Sequence, residues 1–239
     1  MNDISAKSRS AGRSEVYELY EKPMSGEAIE ARSLEIIDSE AGSHQFSADQ
    51  WEVVRRLIHT TADFGLMESV RFSADAIESG VAALRSGGKI FTDSNMIRSG
   101  LSLVRLRRAC PTYGPEDLVC HVADPDIAAK SAESGLPRSL FAVRKAASML
   151  QGGLAVFGNA PVALLELNRL VMEECVRPAL VIAMPVGFVH VKESKEELMS
   201  LGVPYIAVAG RRGGSPMAVS AIHALCSLAM RDTIANSSK

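Results

Sequence analysis

The second half of the chain sets the tightest limit on its fold. Three short apolar runs, at Leu154–Phe157, 179–184 and 205–209, each lead into a loop and then into a helical pattern, at about 161–174, 192–201 and 215–230. Runs this short and apolar throughout read as strands covered on both faces. Strands alternating with helices in this way call for a parallel sheet between two helical layers. The first half is compatible with that frame. One helical pattern covers 26–38, with Ile29, Ser33, Ile36 and Ile37 in register; another starts at Ser47, where Gln50 completes a capping box, and runs through Trp51, Val54, Ile58 and Ala62. A third, over 73–85, stops at Gly87-Gly88, and a short strand is expected over 89–93. No linker, repeat or low-complexity tract divides the 239 residues, and 47% hydrophobic content suffices for a full core. The expectation is a polar, disordered arm over 1–14 followed by one three-layer α/β/α domain over 15–239 with a mainly parallel sheet.

Charge and cysteine usage narrow the partners. A net charge of −2 gives no overall attraction for nucleic acid or an anionic membrane, so basic residues must act locally. The four cysteines form no Cys-x-x-Cys pair, which argues against a zinc knuckle or a dithiol redox motif and fits free thiols in a reducing cytoplasm. The first fourteen residues are polar and charged where a signal peptide needs an apolar stretch. The longest uncharged apolar segment, 178–191, is broken by Pro185 and Gly187 and is shorter than the roughly 20 residues that span a bilayer. A cytoplasmic protein without membrane or nucleic-acid partners is expected.

Ligands of open parallel sheets bind beyond the carboxyl ends of the strands. The loops there are Gly158-Asn159-Ala160-Pro161, Met184-Pro185-Val186-Gly187-Phe188 and Gly210-Arg211-Arg212-Gly213-Gly214-Ser215-Pro216. Glycine lets backbone N–H groups approach a ligand, and a helix start adds unpaired donors and partial positive charge. Pro161 and Pro216 suit the first helical position. Any one such loop reads more readily as a tight turn, but three opening on one sheet edge point to an anion-binding site. Replacing Gly214 by valine is then expected to harm binding more than stability. No loop matches a phosphate fingerprint of the Gly-x-x-x-x-Gly-Lys or Gly-x-Gly-x-x-Gly kind. The paired Arg211 and Arg212 suit carboxylates, which guanidinium grips with two parallel bonds.

Among five histidines, His59 has the informative address, one position off the stripe of Trp51, Val54 and Ile58. Arg55 and Arg56 lie one turn before it and Asp63 one turn after. The Asp63 carboxylate favours a protonated ring and the arginines oppose it, leaving a group suited to proton transfer. A partly buried, hydrogen-bonded structural histidine satisfies the same spacing. His44, His121, His190 and His223 show no metal-ligand spacing, and no metal is assigned.

Taken in order, several segments resemble the precorrin-8X methylmutase family over nearly the whole chain after the arm. They are Ala28-Ile29 with Arg32-Ser33 and Ile36-Ile37, then Ile58-His59, Asp93 with Met96, and Arg138-Ser139. Further on come Gly158-Asn159-Ala160-Pro161, the Met184–Val189 run of Met-Pro-Val-Gly-Phe-Val, Glu193-Ser194-Lys195, Gly202-Val203-Pro204 and Gly213-Gly214-Ser215. The resemblance implies a flavodoxin-like fold, a homodimer, and migration of a methyl group from ring carbon eleven to carbon twelve of a precorrin, giving hydrogenobyrinate or cobyrinate. It also implies that His59 gives or takes the proton and that Ser33 meets the tetrapyrrole substrate. With the loop chemistry, the expected substrate contacts are Arg32, Ser33, Asp93, Met96, Asn159, Met184, Gly187, Arg211, Gly213, Gly214 and Ser215. The segments His59-Thr-Thr-Ala-Asp63 and Thr92-Asp-Ser-Asn-Met96 look more like the cobalt-using branch. A sigmatropic methyl shift asks for an acid and no redox cofactor, so none is expected. Met96, Met184 and Phe188 could floor a flat ring.

Two other classes fit parts of the pattern. A non-catalytic corrinoid carrier would keep the anion-binding loops but has no need of His59. A flavin or nucleotide binder would share the architecture, yet the phosphate fingerprints are missing.

Overall fold

The computed structural model describes Ser14 and residues 16–237, without the side chains of 232–237. Apart from Ser14, the expected arm lies outside these described residues. The described residues form two compact units, one ending at Gly42 and the other starting at Ser43.

The first unit holds α1 (Val16–Glu21) and α2 (Gly26–Glu40). The Ser25 hydroxyl starts α2 by accepting from the Ala28 N–H at 3.1 Å, a side-chain cap for an otherwise unpaired donor. Ile37 is buried, while Ile29 and Ile36 stay 46% and 42% exposed.

The second unit begins with α3 (Ala48–Thr61), whose reciprocal Ser47–Gln50 capping box forms as expected. There follow β1 (Val70–Phe72), α4 (Ala76–Arg85), β2 (Ile90–Thr92), α5 (Asn95–Gly100), α6 (Leu103–Ala109) and β3 (Leu118–Val119). After them come α7 (Pro125–Ser134), α8 (Arg138–Leu150), β4 (Leu154–Phe157), α9 (Pro161–Glu173), β5 (Leu180–Ala183), α10 (Val191–Ser200), β6 (Tyr205–Val208) and α11 (Ser215–Ser237).

One six-stranded sheet runs in the order β1-β6-β5-β4-β2-β3. Strands β2 to β6 pair in parallel, and only β1 is antiparallel, with Val70 opposite Val208. Numbered by themselves, the five parallel strands follow the flavodoxin order 2-1-3-4-5. Helices α8, α9 and α10 cover the face that presents Phe91, Ala155, Phe157, Val181, Ala183 and Ala207. On the other face α11 lies against β4 and β5 and is itself flanked by α3, α4, α5 and α6. The three-layer parallel architecture is therefore the expected one.

Several boundaries differ for identifiable reasons. Helix α4 starts at Ala76 rather than 73, because the Ser73 N–H donates to the Tyr205 carbonyl and its hydroxyl accepts from the Tyr205 N–H, both at 3.0 Å, extending the β1–β6 ladder. Helix α11 runs past 230, and Pro216 takes its second position behind Ser215. Among the described residues no helix is long and apolar enough to cross a membrane.

This topology fixes where a ligand can sit. Strand β2 neighbours both β3 and β4, so the strand order reverses there, and the carboxyl ends of β2 and β4 are where an open α/β sheet ordinarily receives a ligand.

Candidate active site

The carboxyl ends of β2 and β4 are bridged by Asp93, the first residue after β2. Its carboxylate is 1% exposed and accepts from the N–H groups of Gly158 at 3.1 Å, Asn159 at 2.9 Å and Ala160 at 2.7 Å. Burial pushes the carboxyl above its ordinary range, opposed by the amides of Ala160, Asn159 and Gly158. Asp93 thus builds the turn after β4 and leaves Asn159 exposed at its tip. Next to it the Ser94 hydroxyl caps α5 through the Ile97 N–H at 3.3 Å and lies 3.2 Å from the Ser215 hydroxyl at the start of α11.

The loops after β4, β5 and β6 pack backbone against backbone, and this is what their glycines allow. A Cβ on Gly213 would collide with the Met184 and Pro185 carbonyl oxygens, and one on Gly158 would stand 2.9 Å from the Ser215 backbone. The Gly214 N–H donates to the Met184 carbonyl at 2.8 Å, and the Gly187 N–H to that of Arg211 at 3.4 Å. Gly187, Gly210 and Gly214 have φ of +144°, +76° and +136°, conformations that favour glycine. The Met184 side chain is fully buried, and its carbonyl is the acceptor that holds Gly214.

Beneath the turn lies Lys195, on α10 and 0% exposed. Its Nζ donates to the Arg212 carbonyl at 2.8 Å and the Gly210 carbonyl at 3.1 Å. Burial lowers its pKa to about 8. Sequence reasoning places Lys195 in a family-like segment without a role, since a lysine on a helix ordinarily reads as solvated surface.

On the α3 side, Thr61, Asp63, Leu66, Val186, Arg211, Arg212, Gly213 and Met217 line an open cleft of about 380 Å³. Asp63 accepts from the Gly65 N–H at 2.8 Å and pairs with Arg212 at 2.9 Å. The Asp63 carboxylate thus ties the end of α3 to the turn after β6. Arg55 likewise turns to Glu52, at 2.6 Å. The Thr60 hydroxyl donates to that of Ser220 at 2.8 Å, fixing the last turn of α3 on α11. His59 stands exposed on this last turn, which also delivers Thr61 and Asp63 to the cleft.

Around the same edge Met96 is 67% and Phe188 82% exposed, with the Arg211 guanidinium 5.4 Å from the Phe188 ring centre. Arg32 and Ser33 belong to the other unit, where Arg32 pairs with Glu35 at 2.9 Å and the Ser33 hydroxyl donates to the Ile29 carbonyl at 2.8 Å. A feature the histidine spacing hides is His121, just beyond β3, whose Nδ1 lies 2.8 Å from Asp124. The cue was in the sequence as an aspartate three residues on.

The precorrin-8X methylmutase family model matches residues 28–228. The chain belongs to the precorrin-8X methylmutase family. The cobalt-precorrin-8 methylmutase of Leptospira interrogans is 42% identical over 215 residues, covering 86% of this chain and 95% of that one. The precorrin-8X methylmutase of Pseudomonas aeruginosa is 38% identical over 202 residues, covering 84% and 94%. A precorrin-8X methylmutase structure from Thermus thermophilus superposes with a TM-score of 0.79 at 42% identity, covering 87% of this chain and 98% of that one. As a methylmutase the chain is an isomerase of cobalamin biosynthesis acting on a tetrapyrrole.

Proposed function

We propose that the chain moves a methyl group from ring carbon eleven to carbon twelve of precorrin-8X or its cobalt counterpart, with His59 as the acid. The observation that carries this reading is the Asp63–Arg212 ion pair, which couples the last turn of the histidine's helix to the arginine turn. A substrate carboxylate received by Arg211, Arg212 and the amides beside them would bring the ring edge to that helix end. Protonating the conjugated macrocycle draws electron density from the migration terminus. The bond from the methyl group to carbon eleven then breaks as the bond to carbon twelve forms, and return of the proton restores conjugation, so composition is unchanged. A placed acid contributes typically 10²–10⁴-fold to such a step.

The cleft volume lies near the lower end for small-molecule sites, so it suits an acidic arm and a ring edge rather than a whole macrocycle. Exposed Met96 and Phe188 are the proposed apolar floor, and Asn159, Gly187 and Gly213 the proposed polar rim, with Ser215 buried behind it beside Ser94, while Asp93, Met184 and Gly214 act through the backbone they shape. Arg32 and Ser33 are proposed as contacts on the family resemblance. A homodimer in the cytoplasm is proposed on the same ground, and the first unit carries exposed Val16, Tyr17, Leu19 and Tyr20 suited to burial. Two relatives at 42% identity carry the cobalt-precorrin-8 name, which favours the cobalt substrate. Incubating the protein with each precursor and following the visible spectrum tests the reading, because the shift changes the conjugation. Conversion of the cobalt form at the faster rate is expected, and conversion of neither would refute it.

A further inference from the structure

Lys195 is a buried ammonium for which no described carboxylate is a partner; two backbone carbonyls are all it holds. Taking such a charge out of water is costly, and a methionine would fill the same volume without that cost. The geometry shows what the lysine does instead. In a planar trans peptide the C=O and the next N–H point in opposite directions. With the Gly210 and Arg212 carbonyls drawn onto Nζ, the Arg211 and Gly213 N–H groups face away from α10. Helix α10 belongs to the layer opposite α3 and α11, and the cleft residues Thr61 and Met217 come from those two helices. The Arg211 carbonyl is occupied by the Gly187 N–H, while the N–H groups of Arg211 and Gly213 have no backbone acceptor among the described residues.

We propose that Lys195 is a positioning residue: by holding the Gly210 and Arg212 carbonyls on its own side of the turn, it presents the Arg211 and Gly213 N–H groups to the cleft, where they receive a substrate carboxylate. This rests on the reading of the turn as a carboxylate site. Lys195 itself touches no substrate and takes no part in the methyl shift, so its loss should appear in binding and not in the chemical step.

The test compares four forms of the full chain: parent, Lys195→Met, the double variant Arg211→Ala with Arg212→Ala, and the surface control Lys130→Met. Cobyrinate affinity is titrated by visible absorption, the single-turnover rate is measured at saturating cobalt-precorrin-8, and hydrogen exchange is followed across 209–215. Lys195→Met should bind product about ten- to a hundredfold more weakly, the loss of one or two well-placed hydrogen bonds. Its saturated rate should stay within about twofold of the parent's, with faster exchange confined to the turn. Lys195→Gln, which keeps an N–H donor, should fall between parent and Met, and it carries the test if the Met variant does not fold. Parental affinity in Lys195→Met beside weakened binding in the arginine double variant would overturn the positioning role alone. Parental affinity in the double variant would remove the carboxylate reading of the side chains beneath it. If neither lysine variant folds, Lys195 is a folding residue and the inference is wrong.

Discussion

Asp93 and Gly214 show how single residues make this site. Asp93 stands where a polar residue after a strand invites a direct substrate role, yet both its oxygens are committed to the amides of Gly158, Asn159 and Ala160. Asp93→Asn would set an amide NH₂ against those N–H donors. We expect a loss of about 1–3 kcal/mol in chemical denaturation, with a slower reaction following from a disordered Asn159 turn. Unchanged stability with lost binding would instead make Asp93 a contact. For Gly214 the sequence suggests that valine harms binding more than stability, but its φ of +136° and its bond to the Met184 carbonyl add a folding cost. Gly214→Ala should destabilise by about 1–3 kcal/mol, read as a lowered Tm. The residue types at the site were legible because strand ends, glycines and arginines announce loops and anions. Their partners were not, since an Asp93–Gly158 bond spans 65 positions that only the fold brings together.

At the scale of elements, the parallel strands β4, β5 and β6 and the helices after them were readable from alternation, because buried strands are apolar at every position. Strands β1 and β3 were not, at three and two residues. Such short pieces exist because neighbouring backbone pairs with them, as Val70 does with Val208. The His59 helix was legible to its cap, whereas the pairing of Asp63 with Arg212 depends on the turn after β6. Helix α10 offers a pH test. Burial holds Lys195 at about 8, below the roughly 10.4 of a free lysine, so between those values the unfolded chain binds more protons than the folded one. The penalty of the buried ammonium is present below pH 8 and relieved as pH rises toward 10.4. The stability of the parent relative to Lys195→Met should therefore increase from pH 7.5 to 10. A flat difference across this range would show that the lysine titrates as if in water.

The whole molecule is slightly acidic, with a net charge of −2, so attraction for a polycarboxylate must be concentrated locally. Product affinity should fall as salt rises, and more steeply for the parent than for the Arg211→Ala, Arg212→Ala variant; equal slopes would place the attraction elsewhere. Light scattering should report about twice the 25.6 kDa chain mass, and a fully active monomer at high dilution would end the dimer proposal. The family match over 28–228 runs across the Gly42 boundary between the two units, which supports one methylmutase domain from 15 to 239 as the working proposal. The acid role of His59 is tested by single-turnover kinetics of His59→Ala under saturating cobalt-precorrin-8. The methyl shift should slow by about 10²–10⁴-fold with product affinity retained; a rate close to the parent's would show that another residue gives the proton, His121 beside Asp124 being the next candidate.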